Sequence, residues 1–252
     1  MPFEEMYEKM KEGGEILSKI LITLKNELAE GKEYFYFEKL ALDLIYSYGA
    51  EPAFKGYKAP FANTKYQYAL CFSPNEIVAH GYPEKGKYLK VGDIVSLDLG
   101  IKYQGVYLDA ALTSYVGEID QKKKRLIEVT KKALKEGIKV TVPGNRVGDI
   151  GWAIEKTITD AGFKPIKNLC GHDIGEFIHG EWQIFNFGDP GEGDVLPENI
   201  FLCLEPMATF NYELAEQIDD YVFVTKDRSP AAHFEVTIVL FDKKNEVLTN
   251  IL

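Results

Sequence analysis

Apolar residues recur with helical spacing in four segments of the chain, two in each half. Within each segment they lie three and four residues apart, as one buried face of a helix requires. A glycine follows three of the segments, at Gly31, Gly49 and Gly162, which is a common end of a helix. The predicted helices cover residues 5–29, 37–48, 122–140 and 147–161.

Short β-prone runs follow each pair of predicted helices. They cover residues 68–72, the hairpin 95–116, and residues 200–204, 221–224 and 233–241. Helices followed by strands therefore occur twice, in halves of about residues 1–117 and 118–252. We predict one domain spanning residues 1–252 with an α+β fold: a curved antiparallel sheet of pseudo-twofold symmetry, with two helix pairs on its outer face. A binding site would lie between the halves, on the uncovered face.

The hairpin in the first half brings two aspartates together. If Tyr103-Gln104 is the loop, Asp98 lies directly opposite Asp109 in an apolar context. Two like charges in that position are destabilising unless one is protonated or a cation lies between them. A three-residue loop with Gly105 in the left-handed conformation would give another register. Two edge carboxylates that face water would need no cation.

Acidic and imidazole side chains also interrupt apolar segments in the second half. His172 follows a glycine, and Glu205 ends an apolar strand, where glutamate is rarely found unpaired. In the last predicted strand, His233, Glu235 and Thr237 share one face. Each residue alone would be a core histidine or an ion-paired glutamate. We expect them to converge with the hairpin aspartates.

Four carboxylates and one neutral imidazole carry a charge of −4, which two divalent cations would neutralise. An oxygen-rich set with one nitrogen suits manganese, iron, cobalt, zinc or nickel. Two such ions roughly 3.5–4 Å apart generate a nucleophile and polarise a carbonyl group. The predicted ligands are Asp98, Asp109, His172, Glu205 and Glu235.

Composition limits the class of protein. A chain of 252 residues with 46% hydrophobic residues can bury a large core, and its net charge of −10 argues against nucleic acid as the main partner. Three cysteines without metal-type spacing favour a reducing compartment. No apolar run reaches the roughly 18 residues of a membrane span. We expect a soluble cytoplasmic protein.

The five predicted ligands stand in an order and in sequence contexts that resemble the pita-bread metallopeptidases, most closely the type 1 methionine aminopeptidases. The matching segments are residues 49–54, 75–81, 92–95, 204–207 and 226–235. The resemblance implies a pita-bread fold and removal of the initiator methionine by attack of a metal-activated hydroxide on the scissile carbonyl. It also implies nascent polypeptide N-termini as substrates, a transient ribosome contact and a monomer.

The resemblance further implies how the ligands share two metal ions. Asp109 and Glu235 correspond to the carboxylates that bridge both ions. Asp98 would complete the shell of one ion, and His172 with Glu205 would complete the shell of the other.

The resemblance also implies catalytic and substrate-binding roles for individual residues. Glu205 is the candidate base, His179 corresponds to the residue that stabilises the tetrahedral intermediate, and His80 corresponds to one that contacts the substrate beyond the scissile bond. The methionine pocket corresponds by position to Tyr66, Cys71, Ile178 and Tyr221, together with His80.

The sequence departs from the family pattern at a few positions. Asp173 stands where glycine is usual, and Gly180 and Trp182 fall in a stretch that usually reads His-Glu-x-Pro. Val236 replaces a frequent histidine, and residues 58–63 match weakly. Because the five ligands are intact, these changes bear on rate and specificity more than on metal binding.

Two other functions fit parts of this pattern. An Xaa-Pro aminopeptidase or prolidase shares the fold but usually carries a further N-terminal domain, for which the residues before position 5 leave no room. A pita-bread domain that binds peptides without catalysis would be expected to have lost metal ligands, and none is lost here. Activity on Met-Ala-Ser and Ala-Pro-Ala peptides distinguishes the three functions.

Overall fold

The computed structural model describes all residues 1–252 and contains four helices. They are α1 (Phe3–Asn26), α2 (Tyr34–Ser47), α3 (Gln121–Val140) and α4 (Val147–Asp160). All four predicted helices are confirmed, with ends that differ from the predicted ends by at most three residues. None of the four combines the length and the apolar character needed to cross a bilayer.

Strands make up most of the remaining regular structure, and every strand pair is antiparallel, as predicted. The strands are β1 (Glu51–Pro52), β2 (Leu70–Pro74), β3 (Ile77–Ala79), β4 (Ile94–Tyr103), β5 (Val106–Tyr115), β6 (Lys164–Pro165), β7 (Cys170–His172), β8 (Gln183–Phe185), β9 (Ile200–Leu204), β10 (Met207–Thr209), β11 (Ala215–Gln217), β12 (Phe223–Thr225), β13 (Ala231–His233), β14 (Val236–Phe241) and β15 (Lys244–Val247).

The strands are divided among five small sheets, two of which carry most of the candidate site. In the first half, β4 pairs with β1, β2 and β5; in the second half, β14 lies between β9 and β15. A single bridge joins them. The Ala111 N–H donates to the Glu235 carbonyl at 3.2 Å, and the Glu235 N–H donates to the Ala111 carbonyl at 2.8 Å. This bridge places a glutamate of the second half against the aspartate hairpin of the first.

The register of the β4–β5 hairpin differs from the predicted one. Asp98 pairs with Ala111 and Asp109 with Gly100, so the predicted direct pairing of the two aspartates is wrong. The loop is Gln104-Gly105, with φ of 48° and 91°, because a two-residue hairpin turn of the favoured kind needs positive φ at both positions. The aspartates become diagonal neighbours on one face of the hairpin, which still brings their carboxylates close.

The predicted strand over 233–241 is also interrupted. It ends at His233 and restarts at Val236, because β13 pairs with β10 whereas β14 pairs with β9. Phe234 and Glu235 lie at the change of sheet, and Glu235 forms only the bridge to Ala111. The interruption leaves His233 and Glu235 on the same side, as the alternation predicted, since both line one cavity.

Helix α1 packs against the hairpin on the face away from the aspartates. A Cβ atom at Gly13 would lie 2.4 Å from Leu108 Cδ1, so the missing side chain allows the close approach of helix and strand. Leu108 and Asp109 are successive strand residues and therefore point to opposite faces. The apolar core lies on the helix side and contains residues of both halves, from Met10 to Ile251.

Thr237 ties the two halves together beside Asp109. Its fully buried hydroxyl donates to the Asp109 carbonyl at 2.7 Å and accepts from the Asp109 N–H at 3.1 Å. We expect Thr237→Val, which preserves volume but leaves both backbone groups without this partner, to lower the free energy of unfolding by about 1–3 kcal/mol. Urea unfolding of chelator-treated protein measures this change.

Thr237→Ser is the matched control for this prediction. It keeps the hydroxyl and removes one buried methyl group, which costs about 1 kcal/mol. If Thr237→Val unfolds at the same urea concentration as the unchanged protein, the hydroxyl does not hold the halves together.

Candidate metal centre

All five predicted metal ligands line one cavity of about 240 Å³. Asp98 and Asp109 reach it from the hairpin of the first half. His172 ends β7, Glu205 directly follows β9, and Glu235 lies at the bridge to Ala111. The cavity is thus lined by both halves of the chain, as the sequence predicted.

Distances between ligand atoms are short enough for shared ions. Carboxylate oxygens of Asp98, Asp109 and Glu235 lie within 4.8 Å of one another. His172 Nε2 lies 3.9 Å from Glu205 Oε1 and 3.9 Å from Glu235 Oε1. Two atoms bound to the same ion at about 2.1 Å cannot be more than about 4.2 Å apart, so the pairs that include His172 fall within this reach.

Burial makes the acidic cluster unusual. Asp98, Asp109 and Glu235 are only 6%, 3% and 3% exposed, and no lysine or arginine lines the cavity. Burial, with repulsion from Asp109, raises the pKa of Asp98, Glu205 and Glu235 well above the usual range of carboxyl groups. Burial raises the pKa of Asp109 to about 7.

Three of the carboxylates also keep an oxygen without any hydrogen-bond partner. These buried oxygens are Asp98 Oδ1, Asp109 Oδ1 and Glu235 Oε1. A buried acceptor left in this way is costly unless another group binds it. Divalent cations of the first transition series bind both carboxylate oxygens and imidazole nitrogens, so this donor set fits them.

The His172 ring is oriented by its neighbour in the chain. Its Nδ1–H donates to the Asp173 carbonyl at 3.0 Å, which leaves Nε2 without a proton and directed at the carboxylates. Burial lowers the pKa of His172 to about 4, so the ring is neutral at pH 7. A neutral imidazole with a free Nε2 is the form that binds a metal.

The other two predicted histidines line the same cavity. The exposed His179 ring lies 4.4 Å from the His172 ring and 5.0 Å from the Tyr57 ring, measured between centroids. His80 has a φ of 57°, which is uncommon for a residue with a side chain and is typical of positions held for a function. Its Nδ1 lies 3.3 Å from the Tyr221 carbonyl, which accepts when that nitrogen carries the proton.

The residues predicted for the methionine pocket do not all reach the cavity. Tyr66, Cys71 and Tyr221 line it, whereas Ile178 is buried without lining it. The Tyr221 hydroxyl accepts from the Ala59 N–H at 3.4 Å, inside the weakly matching segment, and donates to the Thr64 carbonyl at 2.7 Å, just after it. The apolar residues that sequence reasoning missed are Phe54, Tyr57, Ala59, Pro60 and Phe61.

His233 is a further cavity residue that was absent from the predicted site. Its Nε2 lies 3.8 Å from Glu205 Oε2 and 4.0 Å from Glu235 Oε2, and neither ring nitrogen has a hydrogen-bond partner. Burial lowers its pKa to about 3, so this ring is neutral as well. The alternation that placed His233 on the face of Glu235 was the signal that could have identified it.

Buried carboxylates and neutral imidazoles in a cavity between two α+β halves define a hydrolase that uses divalent metal ions. Comparison with known proteins agrees: the profile of metallopeptidase family M24 matches residues 8–240. The chain belongs to metallopeptidase family M24.

Full-length relatives lie within one branch of that family. Methionine aminopeptidases of Clostridium acetobutylicum and Aquifex aeolicus are each 36% identical, over 96% and 97% of this chain and 95% and 96% of theirs. The crystal structure of methionine aminopeptidase from Thermotoga maritima superposes with a TM-score of 0.91 at 40% identity, covering 96% of this chain and 95% of that one. These similarities confirm the pita-bread fold.

A prolidase from Pyrococcus horikoshii is more distant. It superposes with a TM-score of 0.77 at 21% identity, and the match covers 99% of this chain but 63% of the prolidase. At that identity the likeness concerns the fold alone.

The raised pKa values make the free energy of unfolding of the metal-free protein depend on pH. The folded state holds more protons than the unfolded state between about pH 4 and pH 7, because unfolded carboxyl groups titrate near pH 4. The contribution of Asp109 is therefore complete below about pH 4 and is lost as the pH rises through about 7. We expect Asp109→Asn to stabilise the metal-free protein by a few kcal/mol at pH 8 and to change it little at pH 4.

Denaturant unfolding at both pH values measures that difference, with Asp242→Asn as the control because Asp242 is highly exposed. Adding divalent metal at pH 8 should reverse the order, stabilising the unchanged protein more than Asp109→Asn. An Asp109→Asn variant that is less stable than the unchanged protein in metal-free buffer at pH 8 would contradict the raised pKa.

Proposed function

We propose that this chain is an aminopeptidase that removes the N-terminal initiator methionine from nascent proteins and peptides. The observation that carries the proposal is the cluster of four carboxylates, three of them buried, with imidazoles and without lysine or arginine, in a cavity with an apolar wall. Relatives that match over almost their full length are methionine aminopeptidases, which supports this substrate.

The donor set supports two divalent ions. Asp98, Asp109 and Glu235 would hold one ion, and His172 with Glu205 would hold the other, with Asp109 and Glu235 shared. When bound, such ions lower the pKa of water and polarise a carbonyl group. Cobalt, manganese, iron, zinc and nickel all fit the nitrogen and oxygen ligands.

The chain's own residues supply proton transfer and charge stabilisation. Glu205, with its pKa raised by burial, can accept the proton of the attacking water. An N–H of His179 at the cavity mouth can donate to the oxygen of the scissile carbonyl as negative charge develops there. His80 also lines the cavity, and because its Nδ1–H donates to the Tyr221 carbonyl, its Nε2 can accept an N–H of the peptide beyond the scissile bond.

The apolar wall suits a methionine side chain. Tyr66, Cys71 and Tyr221 line it together with Phe54 and Phe61, and a flexible thioether makes favourable contacts with aromatic rings. The Tyr66 hydroxyl already donates to the Gly81 carbonyl at 2.8 Å, so it presents no free donor to the ligand. The wall therefore favours an uncharged, flexible P1 side chain.

Substrate preference separates this function from the alternative with the same fold. Chelator-treated protein, supplied in turn with each of the five metals, should hydrolyse Met-Ala-Ser at least about 10-fold faster than Ala-Pro-Ala, because the methionine side chain fills the apolar wall and so helps to place the scissile carbonyl beside His179. Preference for Ala-Pro-Ala would favour a prolidase-like enzyme. Metal binding without hydrolysis of either peptide would favour the peptide-binding domain.

Comparing two histidine variants tests the division of roles. His172→Ala should lose metal affinity and activity together. His179→Ala should bind metal nearly normally, keep KM within a few-fold and lose about 10²–10³ in kcat, since a transition-state donor is removed. Calorimetry and steady-state kinetics on Met-Ala-Ser measure both. A His179→Ala variant that retains most of its kcat excludes the assigned donor.

Location and assembly follow from the same proposal. A cytoplasmic protein that acts as a monomer and contacts the ribosome transiently would meet nascent N-termini as they emerge. Analytical ultracentrifugation and cosedimentation with translating ribosomes test the last two points.

A further inference from the structure

One residue, Asp173, forms hydrogen bonds both to His172 and to the loop that carries His179. Asp173 follows His172 and accepts its Nδ1–H through the backbone carbonyl at 3.0 Å. The same carbonyl accepts the Gly180 N–H at 3.0 Å, and Asp173 Oδ1 accepts the Trp182 N–H at 2.8 Å. The loop that carries His179 is therefore hydrogen-bonded to a single aspartate at two positions C-terminal to that histidine, Gly180 and Trp182.

The backbone of Asp173 is firmly placed. It forms a bridge to Leu202 of β9, and the next N–H, of Ile174, donates to the Phe201 carbonyl at 3.1 Å. Trp182, at the other end of the loop, packs against the apolar core. The backbone of Asp173 is thus held by β9, and its carboxylate faces a loop whose far end is held by the Trp182 side chain.

Gly180 makes room for that carboxylate. A Cβ atom at position 180 would lie 2.2 Å from both carboxylate oxygens of Asp173 and 2.3 Å from Cγ, and these are its three nearest atoms. The φ of Gly180 is not in the left-handed region, so its backbone could accept any L-residue. A side chain at position 180 would therefore have to displace the Asp173 carboxylate.

The clash at this contact acts in one direction. A side chain at position 180 would have to displace the Asp173 carboxylate from its hydrogen bond to the Trp182 N–H. A smaller residue at position 173 would lose that hydrogen bond but would leave Gly180 unaffected. The carboxylate therefore keeps its place only while position 180 is glycine.

We propose that Asp173 is the positioning residue of His179, and that it acts only as a pair with Gly180. The inference deepens the proposed function, because it assigns how the transition-state donor is held. The carboxylate fixes the Trp182 end of the loop and the carbonyl fixes the Gly180 end, so the His179 ring stays beside the His172 ring.

Four variants test the pair through kinetics. Asp173→Ala removes the carboxylate acceptor and should lower kcat on Met-Ala-Ser on the order of 10-fold to 100-fold, with KM and metal affinity within a few-fold, since the carbonyl that orients His172 remains. Gly180→Ala should lose a similar factor, because the carboxylate must leave Trp182. Asp173→Ala/Gly180→Ala should lose no more than Asp173→Ala alone. Asp173→Asn, which keeps an acceptor oxygen, should lose clearly less.

A second readout does not require activity. The chain has two tryptophans, so a Trp152→Phe background, which changes an exposed residue outside the cavity, leaves Trp182 as the reporter. Its fluorescence anisotropy should fall faster in Asp173→Ala and Gly180→Ala, but not in Asp173→Asn.

The outcomes separate this inference from the proposed function. If Trp182 responds as expected but the unchanged protein does not hydrolyse Met-Ala-Ser, the loop contact stands and the proposed function fails. If the unchanged protein is active and Asp173→Ala retains kcat within two-fold, the positioning role is overturned. Equal losses of kcat and metal affinity in Asp173→Ala also overturn it, because the residue would then act through His172.

Discussion

Two backbone hydrogen bonds between Ala111 and Glu235 hold the acidic cluster together. They are the only strand-type pairing between the aspartate hairpin and the sheet of β9 and β14. Thr237 adds side-chain bonds to Asp109 two residues further on. Hydrogen bonding between backbones does not depend on side-chain charge. It can therefore hold three carboxylates within 4.8 Å of one another although their charges repel. The rest of the site depends on this forced proximity.

The forced proximity also explains the character of the surrounding shell. Apart from the carboxylates, the residues that line the cavity are apolar, aromatic or neutral imidazoles, and none of them is a lysine or an arginine. A lysine there would relieve the repulsion in the metal-free protein and would compete with a metal for the same oxygens. The metal-free chain therefore retains unfavourable repulsion between carboxylates at this site. The apolar core, which contains residues of both halves, offsets the loss of stability.

Sequence reasoning recovered the helices and the convergence of the ligands, because both depend on periodicity and composition. It wrongly placed Asp98 opposite Asp109. The register depends on a turn at Gln104-Gly105, in which Gln104 has a positive φ, and a residue type other than glycine does not indicate such a φ. The positive φ of His80 could not be predicted for the same reason. The break at Phe234 arises from a change of strand partner, and the core position of Ile178 arises from tertiary packing. None of these follows from local pattern.

Departures from the family pattern follow a physical rule in this chain. A metal ligand cannot be exchanged singly, because each carboxylate contributes to the charge that the ions must balance. A positioning residue can be exchanged when volume and hydrogen bonds are conserved across the contact. Asp173 and Gly180 meet both conditions, since the carboxylate fills the space of the missing side chain and accepts a backbone N–H at 2.8 Å. The carboxylate that occupies the space beside Gly180 is thus the same group that holds the backbone at Trp182, so one side chain sets both the volume and the hydrogen bonding of this loop.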